Sequence, residues 1–289
     1  MIARRTFLGL GLSLVLGRRA ARGASRAAPA TIYLVGDSTV KNGSGTGAGQ
    51  LWGWGNFLAA HVDPALYRVE NRALGGRSSR TYRSEGLWDR VVAQLQAGDV
   101  VLIQFGHNDG GPVATGKARA SLKGTGVETQ TVERPDRPAE VVHTYGWYLR
   151  QYVAEARARG ATPIILSPVP RNVWVGADKV ARASGDYGRW AGEVAREERA
   201  RFVDLNELVA ACYEALGRDR VGADLFTAAD HTHTTRAGAE LNAECVAAGL
   251  KALEGEPVAA AIRPRPAGDP GINPEIPGLQ REATNPLRP

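Results

Sequence analysis

One serine stands where a buried strand is predicted to end. The segment TIYLVGDSTV, residues 31–40, opens with apolar, β-prone residues and stops at a turn that contains Gly36, Asp37 and Ser38. Ligands of open α/β sheets bind at the carboxyl ends of the strands. Ser38 is therefore a candidate nucleophile if a base can reach it, and a helix-capping serine is the alternative interpretation.

The best candidate for that base lies near the other end of the chain. Among five histidines, His233 belongs to the run Asp230-His231-Thr232-His233, which precedes a predicted helix. A spacing of three on one turn lets the Asp230 carboxylate accept the Nδ1–H of His233 and leaves Nε2 outward, as a catalytic triad requires. A metal site or a helix cap are the alternatives; His-x-His can bind zinc, but no third ligand cluster stands out.

An ester-cleaving serine also needs donors that face the developing oxyanion. Gly76 can present its backbone N–H because it has no side chain, and Asn108 can present its amide. Taken alone, a turn glycine and a turn asparagine are equally good interpretations. Asn108 follows a second apolar strand, Val100 to Phe105, so two predicted strands each end in a polar cluster.

The elements that must position these residues alternate between strand and helix, which predicts a parallel sheet covered on both faces. Residues 110–140 show no clear period, and a connection of this length is usually functional or mobile. Strands are predicted from 31 to the turn at Gly36, in a short run that starts at 67, at 100–105, from 162 to the prolines at 168 and 170, and at 201–205. Helices are predicted at 51–62, 87–96, 141–160, about 187–200, 206–217 and about 236–253.

Four blocks in this order resemble those of the SGNH (GDSL) hydrolases: GDST at Ser38, GRS at Gly76, GHND at Asn108 and D-x-x-H at Asp230 and His233. The longer strings YLVGDSTV, GGRSSRTY, FGHNDGG and DHTHTTRAGAE are similar to the rhamnogalacturonan acetylesterase branch. The resemblance covers about residues 31–253.

This resemblance implies an α/β protein with a flavodoxin-like three-layer α/β/α sandwich and a five-stranded parallel sheet. It implies Ser38 as nucleophile, His233 as general base and then acid, and Asp230 as the orienting carboxylate. The oxyanion hole would consist of the N–H of Ser38, the N–H of Gly76 and the amide of Asn108. No metal and no cofactor are required by this chemistry.

The two ends of the chain are predicted to lie outside the SGNH hydrolase domain, 31–255. Residues 1–30 carry Arg4-Arg5 before Phe7 and an apolar run to Leu16, which resembles a twin-arginine export signal; a retained anchor is the alternative. Export to the periplasm or the exterior follows, with no stable membrane insertion after signal removal. Residues 256–289 are Pro-rich and aperiodic and predict a surface or disordered tail.

Net charge gives no reason to expect a nucleic-acid partner. The whole chain carries +6, but residues 1–30 hold six arginines and no other charged residue, so residues 31–289 sum to 6 − 6 = 0. Two cysteines, Cys212 and Cys245, exclude a disulfide-stapled fold. They are expected to be buried free thiols, and a disulfide between them in an oxidising compartment is the alternative.

The expected function is a secreted serine esterase that removes O-acetyl groups from plant cell-wall polysaccharide, with acetylated rhamnogalacturonan (pectin) as first choice. Acetylxylan or acetyl-oligosaccharides are the nearest alternatives, and a non-catalytic sugar-binding module is the alternative from another class. Tryptophans 52, 54, 147 and 174 can stack on sugar rings, but packing is an equal explanation.

Overall fold

The computed structural model describes residues 28–134, 137–182 and 185–263. The leader predicted over 1–30 therefore lies outside the described residues except for its last three, and the same holds for the tail beyond Arg263.

A five-stranded sheet forms the centre of the molecule, in the order β2-β1-β3-β6-β9 with every pair parallel. This order leaves the topological switch point between β1 and β3, as in flavodoxin-like folds. In the part of the chain that the structure describes, three two-stranded antiparallel sheets accompany it. The strands are β1 (Ala30–Gly36), β2 (Tyr67–Asn71), β3 (Val100–Gln104), β4 (Thr129–Arg134), β5 (Arg137–His143), β6 (Thr162–Leu166), β7 (Trp174–Val175), β8 (Lys179–Val180), β9 (Arg201–Val203), β10 (Phe226–Thr227) and β11 (Asp230–Thr234).

Helices cover both faces of the central sheet because side chains alternate along each buried strand. In β1, Ile32 and Leu34 join the core under the helices at 205–216, 236–251 and 257–261, whereas Tyr33 and Val35 join the core under the helices between 79 and 197. The three-layer α/β/α prediction is thus confirmed. The helices are α1 (Ser79–Ser84), α2 (Leu87–Val92), α3 (Tyr145–Ala158), α4 (Tyr187–Glu197), α5 (Leu205–Leu216), α6 (Arg218–Arg220), α7 (Arg236–Lys251) and α8 (Pro257–Ala261).

The helix predicted over 51–62 is wrong. This segment contains two short 3-10 helices, Trp54–Asn56 and Leu58–His61. The amides of Trp54 and Gly55 donate to the carbonyls of Thr39 and Val40 at 3.0 Å each, so they are not available for an α-helical ladder. A Cβ on Gly53 would lie 2.3 Å from the carbonyl carbon of Val40, and the glycine permits this close contact.

Residues 110–140, for which no element is predicted, end in a β-hairpin of β4 and β5. Strand β5 also takes residues 141–143, which the helical pattern assigns to the next helix. The helix α3 starts at Tyr145 because Thr144 adopts an extended conformation and its hydroxyl caps the Trp147 amide.

The predicted tail begins too early. Residues 257–261 form α8, and Val258, Ala261 and Ile262 are buried against the same core as α7. Ile262 also forms a β-bridge with Val62. A buried valine or isoleucine contributes roughly 1.5–3 kcal/mol, so this segment belongs to the folded domain.

Both cysteines are buried free thiols, as predicted. Cys212 of α5 and Cys245 of α7 lie with their Sγ atoms 3.3 Å apart, at the packing interface of the two helices.

Candidate active site

Ser38 lies in the turn directly after β1, and the neighbouring Asp37 fixes that turn. The buried Asp37 Oδ1 accepts hydrogen bonds from the amide and the hydroxyl of Thr39, each at 2.8 Å. The Asp37 carbonyl accepts from the amides of Val40 and Lys41 at 3.2 and 3.0 Å. The side chain of Ser38 is therefore carried by a closely bonded turn at the carboxyl edge of the sheet.

His233 reaches this serine from the other end of the chain. Its Nε2 lies 2.8 Å from the Ser38 Oγ, and its Nδ1 lies 2.6 Å from Oδ2 of Asp230. A nucleophile, a base within hydrogen-bond reach and a carboxylate that orients the base are the relationships of a catalytic triad. The predicted group of Ser38, Asp230 and His233 is brought together in one place.

The backbone around His233 is a strand, which corrects the helical turn expected for this segment. Oδ1 of Asp230 accepts from the amides of Thr232 and His233 at 2.7 and 2.9 Å, so the carboxylate closes a local turn while its other oxygen holds the imidazole. Burial raises the pKa of Asp230, but the hydrogen bonds from His233 and Thr232 outweigh it and hold the pKa below its usual range. Asp230 is therefore ionised when it holds the imidazole.

Strand β11 is held by contacts with two other segments. The Trp52 amide donates to the Thr234 carbonyl at 2.9 Å, and the Asn172 amide donates to the His231 carbonyl at 2.8 Å. Trp52 belongs to the loop after β1, and Asn172 to the loop after β6. The histidine is thus connected through the backbone to the same sheet edge that carries Ser38.

Gly76 and Asn108 line the cavity in which Ser38 and His233 lie. Gly76 has φ +80, a left-handed conformation that favours glycine. The Asn108 amide donates one hydrogen bond to the Arg77 carbonyl at 2.9 Å, which fixes its orientation and leaves its second N–H available. The arrangement supports both residues as oxyanion donors, and Gly75 also lies against the serine, with an added Cβ 3.4 Å from the Ser38 Cβ.

The cavity measures about 620 Å³ and lies outside the ends of β1 and β3. Leu74 is its single large aliphatic side chain within the described residues. None of the four tryptophans considered for sugar stacking lines it; Trp54, for example, is buried and donates to Gln104. The cavity is lined by Ser38, Gly43, Leu74, Gly75, Gly76, Arg77, His107, Asn108, Lys117, Arg119, Arg171, Thr232 and His233.

A basic rim, defined as Lys117, Arg119 and Arg171, surrounds this cavity, and no described acidic residue lines it. Arg119 donates to the Gly76 carbonyl at 3.1 Å and Arg171 to the Thr232 hydroxyl at 3.2 Å. None of the three has a carboxylate partner among the residues that the structure describes. The zero net charge of residues 31–289 concealed this cluster, because a sum of charges contains no information on their placement.

The segment that carries Lys117 and Arg119 is held in place by Arg80, whose side chain is buried. Its guanidinium donates to the carbonyls of Val113 and Ala120 at 2.9 Å each and pairs with Glu140 of β5 at 2.5 Å. The long connection after β3 is therefore an ordered wall of the site.

Asp109 is a second buried carboxylate that the sequence did not single out. It accepts from the amide and hydroxyl of Ser79, at the start of α1, and from the Ser121 hydroxyl at 3.0 Å. Burial raises the pKa of Asp109 to about 6, although these hydrogen bonds oppose the shift. Asp109 thus joins the segment after Gly76 and the segment of Asn108 to Ser121, in the connection that carries Lys117 and Arg119. The buried apolar strand before it was the available signal.

Within the described ranges, no group of three or more His, Cys, Asp or Glu side chains is arranged to hold a metal ion. Nor does any helix in those ranges combine the length and apolar character needed to cross a bilayer.

With this geometry established, the family comparison is informative. The model of the GDSL-like lipase/acylhydrolase family matches residues 34–241 and so includes every block described above. The chain belongs to this family. It is a carboxylic ester hydrolase, and the predicted SGNH (GDSL) membership is confirmed.

Two relatives confirm the predicted branch. The chain is 35% identical over 215 residues to a rhamnogalacturonan acetylesterase of Emericella nidulans, covering 74% of this chain and 82% of the relative. It is 34% identical over 226 residues to a Bacillus subtilis protein named as a probable rhamnogalacturonan acetylesterase, covering 77% of this chain and 93% of the relative.

Solved structures share the fold. The crystal structure of the YxiM protein of Bacillus subtilis matches with a TM-score of 0.61 and 25% identity over 75% of this chain, and the chain spans 55% of that protein's length. An acetylxylan esterase from Geobacillus stearothermophilus matches with a TM-score of 0.52 and 21% identity, covering 76% of this chain and 93% of the other. These likenesses support the same three-layer sandwich.

Proposed function

We propose that this enzyme removes O-acetyl groups from an acidic cell-wall polysaccharide, with acetylated rhamnogalacturonan as its substrate. The observation that carries this choice is the basic rim around Ser38. A backbone of alternating rhamnose and galacturonate bears a carboxylate on every second sugar, whereas a xylan backbone is neutral. Three cations that have no carboxylate partner within the described ranges suit the first polymer and give no advantage with the second.

The triad geometry supports a two-step acyl transfer. The Ser38 Oγ attacks the acetyl carbonyl while Nε2 of His233 takes its proton, and Asp230 stabilises the resulting imidazolium. The amide of Asn108, with the N–H groups of Gly76 and Ser38, stabilises the tetrahedral oxyanion. His233 then protonates the departing sugar oxygen. Water, deprotonated by His233, attacks the acetyl-serine and releases acetate and free Ser38.

The lining of the cavity favours acetyl over long acyl chains. A long acyl chain needs a continuous apolar surface, but Leu74 is the one large aliphatic lining residue in the described part of the chain. The methyl of an acetyl group needs little more apolar surface than Leu74 provides. Nitrophenyl esters of increasing chain length test this point, and we expect activity to fall steeply beyond acetate.

The leader supports the proposal that the enzyme is exported, because a cell-wall polymer cannot cross the membrane to reach a cytoplasmic enzyme. Arg4-Arg5 ahead of the apolar run suits the twin-arginine route. Replacing both by lysine is expected to retain the protein in the cytoplasm, as measured by cell fractionation; unchanged export would contradict this route.

The substrate proposal is tested by acetate release from three polymers. Acetylated rhamnogalacturonan is compared with acetylxylan and with the same rhamnogalacturonan after chemical reduction of its carboxyl groups. Reduction removes the charges and keeps the acetylated backbone. We expect kcat/KM to be highest on the acidic polymer and to fall after reduction. Equal rates on native and reduced polymer would contradict a role for the basic rim.

A further inference from the structure

His107 follows β3 and is almost fully buried, with its side chain 2% exposed. Nε2 of the ring lies 3.0 Å from the carbonyl oxygen of Val169, in the loop after β6. Nδ1 lies 3.4 Å from Oδ2 of Asp37, in the turn that carries Ser38. One imidazole therefore connects the ends of three neighbouring strands of the sheet, β1, β3 and β6, and contacts the residue that precedes the nucleophile.

Both atoms that face the ring are acceptors. A backbone carbonyl has no proton to give, so Nε2 must carry one. Oδ2 of Asp37 and Nδ1 of His107 are both buried, and neither has another hydrogen-bond partner among the described residues, so each has only the other, 3.4 Å away, to satisfy it. A bare Nδ1 would place a lone pair against a carboxylate oxygen in a site that excludes water, which is costly.

The contacts of Asp37 show that its other oxygen, Oδ1, accepts hydrogen bonds and carries no proton. The indole N–H of Trp54 can only donate, and it donates to Oε1 of Gln104 at 2.9 Å. The Gln104 amide nitrogen must then donate to the Thr39 hydroxyl, at 2.6 Å, so that the single Thr39 hydroxyl proton goes to Asp37.

The pKa of Asp37 agrees with this direction of donation. Burial raises it, but His107 and the hydrogen bonds from Thr39 outweigh burial and hold it below the usual aspartate range. Asp37 is thus a buried carboxylate that needs a cation, and His107 is the basic side chain within reach among the described residues. Asp109, the other carboxylate at this strand end, is hydrogen-bonded to Ser79 and Ser121 instead.

From these contacts we infer that His107 is a positioning residue for ester hydrolysis, protonated on both ring nitrogens and paired with Asp37. This inference rests on the proposed function of the Ser38 site. Through Asp37, the pair stabilises the turn that carries Ser38. His107 also precedes Asn108 in the chain, so the position of its ring determines where the backbone places Asn108. His107 thereby fixes the distance between the nucleophile and a donor of the oxyanion hole without a bond to the substrate.

Two substitutions distinguish the contributions of the two ring nitrogens of His107. His107→Gln keeps a donor near the position of Nε2 and removes the partner of Asp37, while His107→Asn keeps a donor near the position of Nδ1. With nitrophenyl acetate we expect His107→Gln to lower kcat about 100-fold with little change in KM, because displacing a reacting group by about 1 Å has an effect of this size. His107→Asn should recover most of that loss. His231→Gln, an exposed histidine outside the cavity, is the matched control and should retain wild-type kcat.

The protonation state is measured on the wild-type enzyme, so the test does not depend on a variant that folds. A two-bond proton–nitrogen NMR spectrum at neutral pH should show both His107 ring nitrogens in the protonated form. A neutral His107 ring, or wild-type kcat in folded His107→Gln, overturns the inference. Both outcomes are distinct from failure of the proposed function, which would show as wild-type enzyme without esterase activity.

Discussion

Nε2 of His233 lies 2.8 Å from the Oγ of Ser38, although 195 positions separate the two residues in the chain. The contact exists because β1 delivers Ser38 to the carboxyl edge of the sheet, while β11 is bonded to that edge through the loops after β1 and β6. The same edge carries Asn108 after β3. The account of ester hydrolysis depends on this convergence of distant segments.

Asp230→Asn tests the orienting carboxylate. An amide can no longer hold His233 in the tautomer that has a bare Nε2, since its NH₂ group would face Nδ1 as a donor. We expect kcat to fall about 10⁴-fold with little change in folding, as in other triads of this kind. Steady-state kinetics on nitrophenyl acetate, with circular dichroism to verify the fold, measure this. Activity above one tenth of wild type would contradict the role.

Asn108→Ala removes one oxyanion donor. Its amide is fixed by the Arg77 carbonyl and has one N–H to spare. We expect a loss of about 10²–10³ in kcat, since the interaction is made in the transition state rather than with the bound ester. A variant with unchanged kcat and a raised KM would show that Asn108 binds substrate instead.

Lys117→Gln tests the basic rim with a close control. Lys117 and Lys123 are exposed lysines of the same segment, but only Lys117 lines the cavity. An exposed ion pair contributes about 0.2–1 kcal/mol, which predicts a rise in KM on acidic polymer of up to about fivefold. Lys123→Gln should leave KM unchanged, and neither variant should alter KM on nitrophenyl acetate. Equal effects of the two substitutions on the polymer would argue against a specific rim.

Gly76→Ala tests the left-handed backbone beside the serine. At φ +80 an alanine costs about 1–2 kcal/mol in the free energy of unfolding, while the nearest atom to its Cβ, Nη1 of Arg119, lies at an acceptable 3.5 Å. We therefore expect the free energy of unfolding to fall because of backbone strain and not because of a steric clash. Gly86→Ala, at φ +68 outside the cavity, should lower stability to a similar degree while retaining activity. Denaturant unfolding of both variants provides the comparison.

Asp109 predicts a pH dependence of stability. Its pKa rises from 3.8 in the unfolded chain to about 6 in the fold, so the folded protein retains a proton that the unfolded chain has lost. This contribution to the free energy of unfolding is therefore complete below about pH 4 and is lost as pH rises through about 6, by up to roughly 3 kcal/mol.

Asp109→Asn cannot titrate and should reduce this decline between about pH 4 and 6. Urea unfolding at several pH values measures it, and the exposed Asp89→Asn is the control. A slope identical to wild type in Asp109→Asn would show that Asp109 is not the titrating group.

The sequence was sufficient for the central sheet and the triad, because both leave local signals. Buried parallel strands are continuous apolar runs, and Ser38 and Asn108 directly follow two of them. The short 3-10 helices at 54–61 could not be predicted, since their amides bond to Thr39 and Val40, a tertiary contact that no periodicity records. The helix after 256 was missed for a similar reason: its small apolar face is stable only against α7.

In the candidate site, too, residues with a local sequence signal could be predicted, and residues whose environment comes from distant segments could not. Asp230 and His233 are close in sequence and could be paired from their spacing. His107, Asp109 and the basic rim acquire their environment from segments that are distant in the chain, and Arg80 anchors the rim through the carbonyls of Val113 and Ala120. Their roles required the fold.

The most direct test of the account is covalent labelling by a nitrophenyl phosphonate, read by mass spectrometry of the intact protein and its peptides. The account predicts one phosphonyl group per wild-type chain, on Ser38, and none on Ser38→Ala. It predicts labelling at least about 100-fold slower in His233→Ala, since the base is lost. Labelling of a different residue, or equal rates with and without His233, would contradict it.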